Sequence, residues 1–309
     1  MIPILDWSTF ASDPDGFSDK LGRICRDHGF FLLKNHPVPA SLVTQTFAKS
    51  AAFFALPEAE KAQLSILSNP HNRGWAAMGS ESLDETSGQI DQKQAFNIGL
   101  DLAPNDPAIL RADLFRGVNL WPDLDGFKDT ILAYFNANWD LGVALHRAFA
   151  RDLGLPLDYF DQHFDAPMAT LRLLSYPAGS GAKGEIGAGA HTDYGSITLL
   201  MTDGVSGLQV KPRGKDWMSV PHEAGAFVVN IGDCLMRWTN KIYCSTPHRV
   251  LPPPRPRKSI AFFLDPNPQS VISALPGTGA AMFPPILASD YLRSRLDATY
   301  KGRNDHETA

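Results

Sequence analysis

The chain has 309 residues, of which 44% are hydrophobic, and it carries a formal net charge of −5 with a pI near 6.0. This balance argues against the basic surface of a nucleic-acid-binding protein. Three scattered cysteines without a Cys-x-x-Cys pattern argue against both a disulfide framework and a structural zinc cluster. No signal peptide and no apolar stretch of bilayer-spanning length is visible, so the expectation is a cytoplasmic protein.

The first half of the chain predicts helices with a few short strands among them. The predicted elements are a strand at 2–5, a helix at 17–28, a strand at 30–34, helices at 40–55 and 57–64, a strand at 94–98 and a long helix at 126–153. Residues 65–90 are irregular and polar, and a long loop of this kind in a compact domain is usually functional or disordered.

From residue 169 the pattern changes to short strands separated by Gly, Asp and Pro. The predicted strands are 170–176, 190–194, 196–201, 207–211, 217–220, 226–230, 235–239, 246–251 and 257–264, and a helix follows at 289–300. Many short strands of this kind indicate a jelly roll, or double-stranded β-helix. The predicted fold class is therefore α+β with a mainly β core and helices packed outside it.

Three residues in the strand-rich half have the chemistry of metal ligands. His191 and Asp193 are two positions apart, so an extended backbone points both to one face. His248 supplies a second imidazole from far down the chain. Two histidines and one carboxylate form the facial triad of non-haem Fe(II) oxygenases, which leaves coordination positions open. Zinc is the rival metal, because it also accepts His and Asp.

A second constellation is suited to binding an anion. Arg257 and Ser259 share a face of the last predicted strand, and a guanidinium beside a hydroxyl can grip a carboxylate. On the strand 170–176, the period of two places Arg172 and Tyr176 on one face, so both are candidates for the same anion.

These residues resemble the signature of the iron(II)- and 2-oxoglutarate-dependent oxygenases, and more narrowly the isopenicillin N synthase-like branch. The resemblance covers nearly the whole chain, including Gly29-Phe-Phe-Leu-Leu-Lys-Asn-His36, Phe53-Phe-Ala-Leu-Pro57 and Ser245-Thr-Pro-His-Arg-Val250. The chain departs from plant members at Leu174, where an Asn is usual, and at Pro37, where a Gly is common. Neither departure touches the predicted ligands.

The resemblance implies four regions along the chain. These are an N-terminal extension of the non-haem dioxygenase type at 1–120, supporting helices at 121–168, a double-stranded β-helix oxygenase core at 169–270, and a C-terminal helix and tail at 271–309. It also implies that residues 65–90 lie over the metal and help to select the substrate. The predicted substrate contacts are Trp75, Glu81, Phe96, Tyr194 and Phe263.

The resemblance further implies Fe(II) held by His191, Asp193 and His248, with O2 and 2-oxoglutarate as cosubstrates and ascorbate as a stimulant. Arg257, Ser259, Tyr176 and Arg172 are the predicted 2-oxoglutarate contacts. The implied reaction is oxidation, chiefly hydroxylation, of a small molecule with release of succinate and CO2. The expected partner is that small molecule, without nucleic acid or membrane, and the expected state is a monomer.

Two alternatives remain open from the residues alone. An isopenicillin N synthase-like cyclase uses no 2-oxoglutarate, and its Arg-x-Ser grips the substrate's own carboxylate. A metal- or anion-binding β-barrel without turnover would use the same constellation for binding only.

Overall fold

The computed structural model describes residues 1–84 and 88–299. The α-helices are α1 (Thr9–Ser12), α2 (Pro14–Asp27), α3 (Ala40–Phe54), α4 (Glu58–Ala62), α5 (Pro107–Leu110), α6 (Phe127–Asp152), α7 (Asp233–Trp238) and α8 (Ala288–Thr299). The strands are β1 (Ile4–Asp6), β2 (Phe30–Lys34), β3 (Gly74–Ala76), β4 (Gln94–Gly99), β5 (Thr170–Tyr176), β6 (Ala188–His191), β7 (Ile197–Thr202), β8 (Leu208–Val210), β9 (Met218–Ser219), β10 (Phe227–Ile231), β11 (His248–Val250), β12 (Arg257–Leu264), β13 (Val271–Ile272) and β14 (Ile286–Leu287).

A large mixed sheet forms the frame of the molecule, with the strand order β1-β2-β10-β7-β12-β5-β4-β3. Its central strands β7, β12 and β5 pair antiparallel, and Arg257 lies opposite Tyr176. The strands of the N-terminal region flank this centre, because β2 pairs with β10 and β4 pairs with β5. The sheet therefore joins the N-terminal and C-terminal halves of the chain.

A smaller sheet, with the order β6-β11-β8-β9, forms the second wall of the core. Residues of both sheets line one cavity, so the cavity lies between the two sheets. This arrangement is the double-stranded β-helix that the strand pattern predicts, and the predicted fold class is confirmed.

Helices cover the outer face of the large sheet. Successive side chains of each strand point to opposite faces, so apolar side chains lie on the outer face as well as in the cavity. On β12, Phe262 points outward and its ring meets that of Phe135 from α6 at 5.1 Å. The neighbours Ala261 and Phe263 line the cavity on the opposite face. The apolar face of α6, which includes Ile131 and Leu145, is fully buried.

Most predicted elements occur close to their predicted bounds, but two differ. The predicted strand at 235–239 is wrong, because Asp233–Trp238 is the helix α7. Its buried residues Cys234, Leu235 and Trp238 follow a helical spacing, and an acid in the first turn suits the helix dipole. The predicted strand at 190–194 ends already at His191, and the chain then bends.

The division of the chain into four regions stays a prediction. The last residues of the predicted C-terminal tail lie outside the described residues, as do 85–87 within the predicted loop. Within the described chain, none of the helices has both the length and the apolar character needed to cross a bilayer.

Candidate active site

The cavity between the two sheets has a volume of about 140 Å³, in the size range of cavities that take small organic molecules. The central strands β5, β7 and β12 supply one wall, and β6, β8 and β11 supply the other. Its polar lining residues include Asn72, Lys93, Asn97, Arg172, His191, Asp193, Thr198, Asn230, His248, Arg257, Ser259 and Asp265. Polar groups therefore converge on one small cavity between the sheets.

His191, Asp193 and His248 come together at one side of this cavity. His248 is the cross-strand partner of His191, because β11 pairs antiparallel with β6. Asp193 Oδ1 lies 3.7 Å from His191 Nε2 and 3.5 Å from His248 Nε2. One ligand atom from each residue lies within 4.8 Å of the others. These three side chains thus face a common centre from one side.

Neighbouring groups fix the orientation of side chains in this triad. Asp193 Oδ2 accepts hydrogen bonds from Thr198 Oγ1 at 2.5 Å and from Asn230 Nδ2 at 2.7 Å, which leaves Oδ1 toward the centre. His191 Nδ1 lies 2.7 Å from the carbonyl oxygen of Gly189, so this nitrogen carries the proton and Nε2 offers its lone pair. Metal-binding imidazoles are commonly oriented in this way.

The protonation states also suit a cation at the centre. Burial, and then the charge of His248, lower the pKa of His191 to about 3. Burial acts to raise the pKa of Asp193, but His248 and His191 hold it below its usual range. Burial acts to lower the pKa of His248, and the Asp193 carboxylate more than offsets this. The carboxylate therefore attracts a positive partner, which is either a proton on His248 or a metal ion.

Arg257 lies deeper in the same cavity and is 1% exposed. Its NH1 donates to Ser259 Oγ at 3.3 Å, and its Nε donates to the carbonyl oxygen of Val205 at 3.3 Å. The guanidinium carbon lies 5.0 Å from the ring centre of Tyr176. Within residues 1–84 and 88–299, no carboxylate forms an ion pair with Arg257. A buried cation of this kind can accept an external carboxylate.

Arg172 also lines the cavity, but it has a partner of its own. Its NH2 donates to both carboxylate oxygens of Glu81, at 2.5 and 2.6 Å. Lys93 Nζ lies 3.1 Å from the same carboxylate and also pairs with Asp91, whose Oδ1 accepts from the amide of Gly189 at 2.8 Å. This buried network (Glu81, Asp91, Lys93, Arg172) contains two acids and two bases.

The remaining predicted substrate contacts separate into two groups. Tyr194 and Phe263 line the cavity, since the chain bends after β6 and Phe263 continues the inward face of β12. Trp75 is buried outside the cavity lining and donates from Nε1 to Gln94 at 3.0 Å. Phe96 lies on the helix-facing side of β4, where its ring meets that of Phe53 at 4.2 Å. The structure therefore offers no direct route from Trp75 or Phe96 to a molecule in the cavity.

The sequence analysis missed several residues that line the cavity. Asn230 and Thr198 reach Asp193 through strand pairing between β10 and β7, which no local pattern reveals. The alternation of side chains along β12 could have predicted Asp265. Arg257, Ser259, Ala261 and Phe263 line the cavity, and the next residue on that face is Asp265. Burial, and then the charge of Asp193, raise the pKa of Asp265 to about 7.

Comparisons with known proteins agree with this geometry. Residues 2–124 match the family model described as non-haem dioxygenase in morphine synthesis N-terminal, and residues 159–266 match that of the 2OG-Fe(II) oxygenase superfamily. The 2-oxoglutarate-Fe(II) type oxidoreductase hxnY of Emericella nidulans is 34% identical over 96% of this chain and 90% of its own.

Solved structures give the same result. A full-length protein of Neurospora crassa, solved in complex with α-ketoglutarate (2-oxoglutarate), is 35% identical, with a TM-score of 0.86 over 96% of each chain. The same protein in complex with α-ketoglutarate and thymine gives a TM-score of 0.84. A 2OG-Fe(II) oxygenase family protein of Caulobacter crescentus is 30% identical, with a TM-score of 0.85 over 96% of this chain and 98% of its own.

The cavity between the sheets, the converging His-Asp-His group and the buried arginine thus occur in a chain whose relatives share one chemistry. The chain belongs to the 2OG-Fe(II) oxygenase superfamily and is a non-haem dioxygenase that uses Fe(II) and 2-oxoglutarate.

Proposed function

We propose that His191, Asp193 and His248 hold the iron, and that the enzyme hydroxylates a small molecule bound next to them. The observation that carries this assignment is the convergence of three ligand atoms within 4.8 Å, with Asp193 Oδ2 already satisfied by protein donors. Two imidazoles and one carboxylate on one side of a metal are the donor set that Fe(II) takes in this chemistry. When bound, Fe(II) couples the decarboxylation of 2-oxoglutarate by O2 to oxidation of a C–H bond.

We further propose that Arg257, with Ser259 and Tyr176, grips the far carboxylate of 2-oxoglutarate. The support is a buried guanidinium whose protein partners are a hydroxyl, a carbonyl and an aromatic face. A bidentate carboxylate would supply the missing negative charge. Because Arg257 and the triad line the same cavity, this clamp would fix one end of the cosubstrate and leave its keto-acid end for the iron.

The predicted role of Arg172 as a 2-oxoglutarate contact stays a prediction. Arg172 and Tyr176 are four residues apart on β5, or about 13 Å at 3.3 Å per residue. Because Glu81 already neutralises Arg172, we propose that this arginine faces the primary substrate instead. Tyr194 and Phe263 would then flank the same molecule and exclude water from it.

The assignment is tested by measuring bound iron and succinate formation from 2-oxoglutarate. We expect Fe(II)-dependent succinate release by the wild type, stimulated by a substrate found in a panel of small molecules. The panel begins with thymine, which the Neurospora crassa protein binds. Asp193→Ala and His191→Ala should lose both iron and turnover, whereas His222→Ala, at an exposed histidine, should retain both.

Two results would contradict the proposal. An Asp193→Ala variant that keeps full iron occupancy and activity would show that the metal is held elsewhere. Substrate oxidation without consumption of 2-oxoglutarate would favour the isopenicillin N synthase-like alternative.

A further inference from the structure

Asp265 is an acid of the cavity that the assignments above leave without a role. It follows β12 directly, continues the inward parity of Ala261 and Phe263, and is 5% exposed while lining the cavity. A Cβ added to Gly195 would lie 2.6 Å from Asp265 Oδ1, so this glycine makes the room in which the carboxyl group lies.

The carboxyl group of Asp265 lacks a protein partner. Throughout the described parts of the chain, neither a backbone amide nor a side chain donates a hydrogen bond to it, and no Lys or Arg pairs with it. The other cavity acid differs, because Asp193 accepts from Thr198 and Asn230. A buried carboxylate without a donor is unfavourable, so the site favours a ligand that brings one.

The charges around the cavity point to the kind of donor. In the network of Glu81, Asp91, Lys93 and Arg172, two acids and two bases cancel. With Fe(II) and the dianionic 2-oxoglutarate bound as proposed, the charges of metal, Asp193, cosubstrate and Arg257 also cancel. Among the residues that line the cavity, Asp265 is then the remaining acid without a counterion, and a cationic partner would stabilise its ionised form.

The apolar part of the cavity lining indicates what carries this cation. Tyr194, Phe263, Leu292 and Leu296 line the same cavity and present aromatic and aliphatic surface. We propose that Asp265 determines substrate specificity by binding a protonated amine carried on a small apolar or aromatic body. This inference rests on the function proposed above, since it places the amine in the primary substrate of the same reaction.

Benzylamine and benzyl alcohol are matched probes, because they share a ring and differ in the charged nitrogen. Each is titrated calorimetrically, without oxygen, into enzyme loaded with Fe(II) and 2-oxoglutarate. We expect the wild type to bind benzylamine about tenfold or more tightly than benzyl alcohol, the size of one hydrogen bond to a charged group. Asp265→Asn should reduce this preference to less than about threefold. Asp140→Asn, at an exposed acid of α6, should leave it unchanged.

Equal affinity of the wild type for the two probes, absence of benzylamine binding, or an unchanged preference in Asp265→Asn would overturn the inference. The wild-type comparison stands by itself if the variant does not fold. Titration of 2-oxoglutarate into the same preparations separates the two proposals. If the wild type binds 2-oxoglutarate but does not prefer benzylamine, the inference about Asp265 is wrong and the proposed function is unaffected. If the wild type fails to bind 2-oxoglutarate, the result counts against the proposed function.

Discussion

The two arginines of the cavity, Arg257 and Arg172, lie in opposite electrostatic settings; Arg257 is 1% exposed, and the side chain of Arg172 is 13% exposed. Arg172 donates to both oxygens of Glu81, so its charge is neutralised inside the protein. Arg257 contacts the Ser259 hydroxyl, a carbonyl and the Tyr176 ring, and in the described structure no acid pairs with it. One arginine of the cavity therefore has an internal counterion, and the other is available to an external anion.

This contrast indicates where ligands are expected to bind. Removing a charge from water costs several kcal/mol, which an internal counterion or a bound ligand can offset. Glu81 offsets this cost for Arg172 in the folded protein, so loss of Glu81 should lower the free energy of unfolding. At Arg257 the cosubstrate offsets the cost, so loss of Arg257 should lower the affinity for 2-oxoglutarate. Substitutions at the two sites should accordingly be measured in different assays.

The largest effect is expected from removing the internal counterion. Glu81→Ala would leave Arg172 facing the cavity without this carboxylate and Lys93 with Asp91 alone. Breaking a buried pair typically costs about 3–5 kcal/mol, so we expect the free energy of unfolding, measured in urea, to fall by that amount. Glu223→Ala, at an exposed glutamate, is the control and should change it by less than about 0.5 kcal/mol.

A double variant sharpens this prediction. Replacing both partners of a buried pair with apolar residues is often neutral. Glu81→Leu combined with Arg172→Met should therefore recover much of the stability that Glu81→Ala loses. If Glu81→Ala unfolds at the same urea concentration as the wild type, the contrast between the two arginines is wrong.

Arg257→Ala should act on affinity rather than on folding. Truncating one partner of a buried charge pair costs about 2–5 kcal/mol, which is roughly a 30- to 5000-fold loss in affinity for 2-oxoglutarate. Iron should remain bound and the ligand-free protein should lose little stability, because no internal ion pair is broken. Arg255→Ala, in the same basic run but exposed, is the matched control. An unchanged 2-oxoglutarate titration for Arg257→Ala would remove the proposed clamp.

The position of Arg257 on an inward face is predictable from the sequence, whereas the pairing of Arg172 with Glu81 is not. Arg257, Ser259, Arg172 and Tyr176 lie on long strands, where a period of two fixes the face of each side chain. Glu81 comes from an irregular segment, and its pairing with Arg172 depends on how that segment folds over the sheet. Local patterns carry no information on such a contact, so the sequence alone does not predict the pairing of Arg172 with Glu81.

The same reasoning explains why other side chains do or do not line the cavity as the sequence predicts. His191 and Asp193 were paired by spacing alone, although the strand ends at His191 and the chain bends before Asp193. Phe96 was named for its apolar character, but parity on β4 puts Asn97 in the cavity and Phe96 among the helices. Parity on β12 would also have included Asp265, had the strand been extended by one residue.

His146 represents a third way of burying a titratable group, in which the group carries no charge. It is fully buried, with Nδ1 2.7 Å from the Gly142 carbonyl oxygen and Nε2 2.7 Å from Ser196 Oγ. Burial lowers its pKa from 6.5 to about 4. Between these two values the unfolded chain takes up a proton that the native protein does not, so stability falls as the pH drops from about 6.5 to about 4.

The difference between the two pKa values corresponds to at most about 3 kcal/mol. We expect urea unfolding of the wild type to lose up to this amount between pH 7 and pH 4, on top of the contributions of other groups. His146→Gln should show a shallower dependence, whereas His222→Gln, at an exposed histidine, should follow the wild type. Parallel pH profiles for His146→Gln and the wild type would mean that His146 is charged or solvated in the native protein.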